Sequence, residues 1–204
     1  MAKKEKLDFD YNDFFDEKFE DTAVLMWNTH HQAFTFAFYL NQLYSLNLMR
    51  CDEKTLEGKD SPFDCSIYSY ISTIDQQAFF LIDTTAAASN SKSSGIFFDK
   101  TMLIIGPDAF ETAEHIYNET SQSSPTTTDN ERNAMLQSFV DTGIFESALF
   151  DFSDPDRPET TYFPSSNISP ALQKKRDRFL QEQRKFVSDL IIAVDPFLPD
   201  FESE

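Results

Sequence analysis

Ala23-Val24-Leu25-Met26-Trp27, followed after a short gap by Ala33-Phe34-Thr35-Phe36-Ala37-Phe38-Tyr39-Leu40-Asn41-Gln42-Leu43-Tyr44, decides the fold of this chain. The first run has strand length and β-favouring composition, so it predicts a largely buried strand. In the second, Ala33, Phe36, Ala37, Leu40, Leu43 and Tyr44 recur at the three-four spacing of one helical face, with Thr29 placed to cap the helix start. Phe34 and Phe38 lie on a second flank. That makes the helix apolar over more than half its circumference and marks it as the central core helix.

Working outward, Leu46, Leu48 and Met49 predict a short second strand, and Glu57 to Pro62 reads as a turn. Phe63, Cys65, Ile67 and Ile71 then alternate with Asp64, Ser66, Tyr68, Tyr70 and Ser72, the period-two pattern of a sheet with one buried face. Asp75-Gln76-Gln77 separates this run from Ala78-Phe79-Phe80-Leu81-Ile82, a connection short enough for an antiparallel hairpin. Phe97 to Ile105 predicts another strand. Gly106-Pro107 stops it, and Asp108 is placed to cap a helix running toward Tyr117 or Asn118. Strand, helix, several strands, helix is the order of an α+β fold: a largely antiparallel sheet with a core helix and a second helix packed on it.

Beyond this core the pattern turns helical. Glu131 to Phe150 carries Met135, Leu136, Phe139, Val140 and Ile144 near helical spacing, although Gly143 should weaken such a helix by roughly 1 kcal/mol relative to Ala. Ser169-Pro170 predicts a further helix start, with Leu172, Phe179, Phe186, Val187, Leu190 and Ile191 on its apolar side and Asp195-Pro196 at its end. Low-complexity runs at Ala86 to Gly95, Thr120 to Asn130 and Ser153 to Ser169 read as loops. The expected division is an acidic aromatic arm over 1–21, an α+β core over 22–119, a linker over 120–130, and a helical C-terminal extension with an acidic tail over 131–204.

Composition narrows the function classes. The chain has 204 residues, 40% of them hydrophobic, enough for one substantial core. Its 35 acidic against 17 basic residues give a formal net charge of -18, which repels nucleic acid phosphates and anionic membranes and argues against direct nucleic acid binding. Only four glycines are present, too few for phosphate-cradling loops. Lys174, Lys175, Arg176, Arg178, Arg184 and Lys185 form a basic cluster that reads as a solvated helix face paired with the acidic arm, with a partner-binding patch as the alternative. Cys51 and Cys65 are expected as unpaired thiols in a reducing, cytoplasmic setting, with no leader-like apolar run before them. No apolar stretch approaches the roughly 20 residues that cross a bilayer, so no membrane insertion is expected.

Motifs for chemistry are weak throughout. Asp8-Phe9-Asp10-Tyr11-Asn12-Asp13 opens like a calcium loop, but Asp13 stands where the turn needs glycine and Phe19 where a bidentate glutamate belongs. Adjacent imidazoles such as His30 and His31 diverge by about 100° on a helix and do not converge on one metal. Glu111, Glu114 and His115 could share a helix surface, and no nucleophile-elbow pattern surrounds any serine. No catalytic residue, metal ligand or cofactor is therefore assigned.

Gln32 to Arg50, preceded by an acidic aromatic arm and one strand, resembles the bacterial family called IPExxxVDY. Phe79-Phe80-Leu81-Ile82 and Asp99-Lys100-Thr101-Met102-Leu103-Ile104-Ile105-Gly106-Pro107-Asp108-Ala109 are similar to its later strands. The likeness spans about residues 6–117. It implies a small α+β bacterial protein of no established activity and transfers no site.

The remaining signal lies at the termini. From Leu7 to Asp21 seven carboxylates and five aromatic rings interleave against one lysine. Such a segment can steer a basic partner with its acids and anchor it with its rings. The candidate partner-binding residues are Asp8, Phe9, Asp10, Tyr11, Asp13, Phe14, Phe15, Asp16 and Phe19. Phe197 and Phe201 repeat the chemistry near the other end. The expected role is a non-enzymatic binding or assembly component that engages a protein with a basic surface. A nucleic acid mimic that blocks a DNA- or RNA-binding protein is an alternative, and so is an enzyme whose site forms only in the fold.

Overall fold

The computed structural model describes residues 21–57, 62–85, 98–121, 130–151, 187 and 189–198. Its elements are β1 (Thr22–Thr29), α1 (Ala33–Tyr44), β2 (Met49–Glu57), β3 (Pro62–Ser72), β4 (Gln77–Asp83), β5 (Lys100–Ile105), α2 (Ala109–Ser121), α3 (Asn130–Gly143) and β6 (Ile144–Asp151). Residues 187 and 189–194 are helical and lead into a 3-10 turn, Asp195–Phe197. The strands form one six-stranded sheet in the order β2-β3-β4-β5-β1-β6. Every neighbouring pair is antiparallel. The α+β class and antiparallel sheet expected from the pattern are what the chain adopts.

Both faces of this sheet are covered, which explains the uninterrupted apolar runs. In β1, Ala23, Leu25 and Trp27 face α1, α2 and α3 and join Phe36, Leu40, Ile116 and Phe139 in one core. Val24 and Met26 point the other way, with Phe80, Ile82, Leu103 and Phe150, toward Val187, Leu190, Ile191 and Val194 of the C-terminal helical residues. A strand between two such layers cannot afford polar alternation. At about 1.5–3 kcal/mol for each large side chain fully removed from water, these two layers are the main stabilising term. β3 was expected to bury only one face; it buries Cys65 and Ile67 on one side and Tyr68 on the other.

Several boundaries differ from expectation. The residue before α1 is Gln32, in extended conformation and without a side-chain cap, while Thr29 remains in β1 and accepts the His31 N–H at 3.0 Å. Asp108 precedes α2 with φ 56, outside the extended conformation typical of a capping residue. Thr120 and Ser121 belong to α2, so the helix runs into the expected linker. The helix predicted from Glu131 to Phe150 ends at Gly143, and β6 follows at once as an edge strand on β1. The region over 131–204 is therefore not helical throughout. It supplies a strand to the sheet and the layer that closes its second face. The expected starts at Ser169-Pro170, Leu172, Phe179 and Phe186 lie outside the described residues.

Two glycines are required by close approach. Gly106 has φ 125, and a β-carbon there would run into the Gln76 carbonyl. A β-carbon on Gly143 would overlap the His31 imidazole. The glycine that weakens α3 on propensity is thus the space in which a histidine sits.

Candidate functional site

Two of the hollows lined by the described residues open at different positions along the sheet. The first, about 450 Å³, forms where β1 and β4 end, β5 begins and α1 starts. Lys100 opens β5 opposite Asp83 of β4. Its side chain is almost fully buried, and its ammonium donates to Asp83 Oδ1 at 3.2 Å, Thr85 Oγ1 at 2.9 Å and the Asp99 carbonyl at 3.2 Å. Those acceptors match the three donors of a lysine. The Asp99 carboxylate accepts the Thr29 N–H at 3.1 and 3.3 Å. Burial pushes the Asp99 carboxyl above the usual carboxylate range; the Lys100 charge and the Thr29 N–H pull part of that shift back.

The walls of this hollow mix chemistry. Tyr68 and Ser66 come from β3, and Arg50 from β2 donates to Ser66 Oγ at 3.4 Å. His30 and Phe34 stand at the rim, and both are exposed. Phe34 is 62% exposed and Phe38, one helical turn further along α1, is 55% exposed. The second flank of α1 seen in the sequence is therefore an aromatic pair left in water.

The second hollow, about 790 Å³, is lined by Tyr44, Tyr70, Gln77, Asp108, His115 and Arg132 among others. Arg132 of α3 makes a two-pronged pair with Glu119 of α2, at 2.9 and 2.6 Å, and donates from Nε to the Leu43 carbonyl at the end of α1. This hydrogen-bonded pair holds the Glu119 carboxyl below its usual range against the opposing effect of burial. Tyr44 lies under the Arg132 guanidinium, 5.7 Å from its ring centre. Its hydroxyl is buried close enough to Glu119 to feel that charge, yet makes no hydrogen bond of ordinary geometry among the described residues. Burial raises the Tyr44 pKa strongly, so the phenol stays neutral. The arrangement is a three-helix clasp, with its charged groups engaged in holding helices together.

His30 and His31 lie in the bend between β1 and α1, not on a helix as expected; His30 is exposed and His31 half-buried. His31 stacks against Phe139 at 5.4 Å and lies 5.3 Å from Tyr39. Its Nε2 is 3.1 Å from the Phe139 carbonyl and must carry the proton to bond there. Among the described residues no group of three or more His, Cys, Asp or Glu side chains could hold a metal ion. No described helix is long and apolar enough to cross a membrane. Among the described residues neither Cys51 nor Cys65 forms a disulfide.

Of the terminal residues singled out as partner contacts, Asp8, Phe9, Asp10, Tyr11, Asp13, Phe14, Phe15, Asp16, Phe19 and Phe201 lie outside the described residues. Phe197 sits in the 3-10 turn, half-buried against the second core. Glu114 is exposed on α2 and does not line the hollow that His115 borders. The Lys100, Asp83 and Asp99 constellation escaped the sequence pattern because β4 and β5 bring it together only through their register. Its one visible trace was a lysine at the start of an otherwise apolar strand.

No protein-family model, curated protein or solved structure matches the chain.

Proposed function

We propose that this protein is a cytoplasmic, non-enzymatic binding or assembly component whose acidic surface engages the basic surface of a protein partner. One observation carries the reading: among the described residues, outside the terminal arm, acids outnumber cations and two of the four cations are already held by carboxylates. The lysines and arginines of the described residues are Arg50, Lys54, Lys100 and Arg132. Lys100 and Arg132 are bound to Asp83 and Glu119. Asp21, Asp64, Asp75, Asp108, Glu111, Glu114, Glu131 and Asp141 are exposed around them. A field of this sign speeds encounter with a basic surface and suppresses acidic competitors.

The test is affinity purification of the tagged protein from its native cells at low and high salt, with and without residues 1–20. A specific basic partner released by salt supports the reading; recovery of none in any condition refutes it. Rigid acids on α2 and α3 also favour the nucleic acid mimic as a second reading. Recovery of DNA-binding proteins displaced by added DNA would place that reading first.

A further inference from the structure

We infer that the outward stripe of α1, built on Phe34 and Phe38, is the contact through which a second copy of this chain docks, giving a reversible two-fold dimer. Such self-association is separate from the capture of a basic partner and uses a different surface.

The stripe is set apart by its lack of charge. Residues 22–49 are the longest run of this chain without an Asp, Glu, Lys or Arg, although 25% of all residues are charged. Burial accounts for β1 and for the inner face of α1, but not for the outer one. There Phe34 is 62% exposed and Phe38 55%, and exposed Gln42 continues the same line one turn further on. Water-facing stripes of helices in soluble proteins ordinarily carry charges. Both α2 and α3 follow that rule, with Glu111 and Glu114 exposed on one and Glu131 and Asp141 on the other. Loss of charge together with gain of aromatics is the compositional mark of the centre of a protein interface. The stripe is also well supported: Phe38 stands edge-on to Tyr39 at 6.0 Å, and Tyr39 stacks on Phe139 at 4.8 Å. Rings held in this way lose little freedom on contact.

The occupant follows from sign and symmetry. A basic partner is drawn to carboxylates, and this stripe has none to offer it. Two copies of a chain with a net charge of -18 repel wherever their acids are brought together, so close approach is tolerated where acids are missing. Two residues one helical turn apart are also self-complementary. In an antiparallel crossing of two α1 helices about a two-fold axis, Phe34 of one copy meets Phe38 of the other, and the same rotation forms the reciprocal pair. Aromatic rings in offset or edge contact gain beyond the area they cover. The face is small, since the twelve residues of α1 at about 1.5 Å each span about 18 Å. That places the dimer among transient contacts, below about 1,200 Å² in total. Its salt dependence has a definite sign. Screening removes repulsion between the copies and leaves the apolar contact, so the dimer tightens with added salt, whereas capture of a basic partner loosens.

The experiment is sedimentation equilibrium of the full chain from about 10 µM to about 1 mM, at about 0.05 M and about 0.5 M sodium chloride. The expected result is a monomer to dimer equilibrium at least about threefold tighter at the higher salt. Phe34→Ser combined with Phe38→Ser should weaken it about tenfold or more. Both side chains are exposed, so this variant should keep its fold, which circular dichroism checks. Ile74→Ser, at a 92% exposed position between β3 and β4, should change the affinity less than about twofold. A chain that stays monomeric throughout, or a dimer that the serine pair leaves intact, would overturn the inference. A dimer that loosens with salt would overturn it too, and would mark contact between the acidic surface and the Lys174 to Lys185 cluster of another copy. Capture of a basic partner is read separately by affinity purification, so neither result decides the other.

Discussion

Replacing Gly143 by alanine should reveal how tightly α3 is fitted to the start of α1. The new methyl group overlaps His31 at Nε2 and Cδ2, so the imidazole has to leave its place. Leaving forfeits the Nε2 bond to the Phe139 carbonyl, about 0.5–1.5 kcal/mol. It also forfeits the ring contacts at 5.4 Å with Phe139 and 5.3 Å with Tyr39, together about 1–3 kcal/mol. Against this, alanine is favoured over glycine in a helix by roughly 0.5–1 kcal/mol. The net expectation is a loss of about 2 kcal/mol. Urea denaturation can read this through Trp27, the sole tryptophan and a fully buried one. The decisive comparison is a double-mutant cycle with His31→Ala. With the ring gone, Gly143→Ala should become neutral or mildly stabilising. An equal loss of about 2 kcal/mol in both backgrounds would refute the steric account and place the cost in the turn from α3 to β6.

Further outcomes follow from other contacts. Thr120 accepts the buried Trp27 indole N–H at 3.3 Å, so Thr120→Val should leave that donor unsatisfied and cost about 1–3 kcal/mol in the same denaturation assay. Leu190→Ala, at a fully buried position against the second sheet face, should cost about 2–5 kcal/mol; a change below 0.5 kcal/mol would mean that this helix contributes little to the fold. The Glu119 carboxyl is depressed in the folded state, so its contribution is present above the ordinary glutamate range and lost as pH falls through the folded value. The stability gap between wild type and Glu119→Gln should therefore be widest near pH 7 and close as the solution is acidified toward pH 3. A gap that does not change with pH would contradict the role of the Arg132 pair. Asp99 has the opposite sign: its folded pKa is raised, so Asp99→Asn should be least costly, relative to wild type, at neutral pH and comparatively more costly under acid.

The central helix was legible because its buried face is spelled by five residues at strict helical spacing, Ala33, Phe36, Ala37, Leu40 and Leu43. β1 and β4 were legible because a strand covered on both sides shows an unbroken apolar run. The passage from α3 to β6 was not, since Ile144, Ala148 and Phe150 satisfy either period over so short a stretch. Only the environment of Gly143 breaks the tie, and His31, which creates it, is remote in sequence. Capping was misread for a similar reason: Thr29 has the right side chain, but pairing of β1 with β6 holds it in the sheet. The ionic constellation was hidden because Asp83 and Lys100 lie seventeen positions apart and meet only through strand register. The exposed Phe34 and Phe38 were visible as a flank, but their exposure to water is a fact of packing alone.

The late position of the second layer has a biosynthetic consequence. While the chain is emerging from a ribosome, Val24, Met26, Phe80, Ile82 and Leu103 can be assembled into a sheet well before Val187, Leu190, Ile191 and Val194 have been translated. Until then the part of this face that those four residues cover lacks their layer, and apolar sheet surface of that kind is prone to association while it waits.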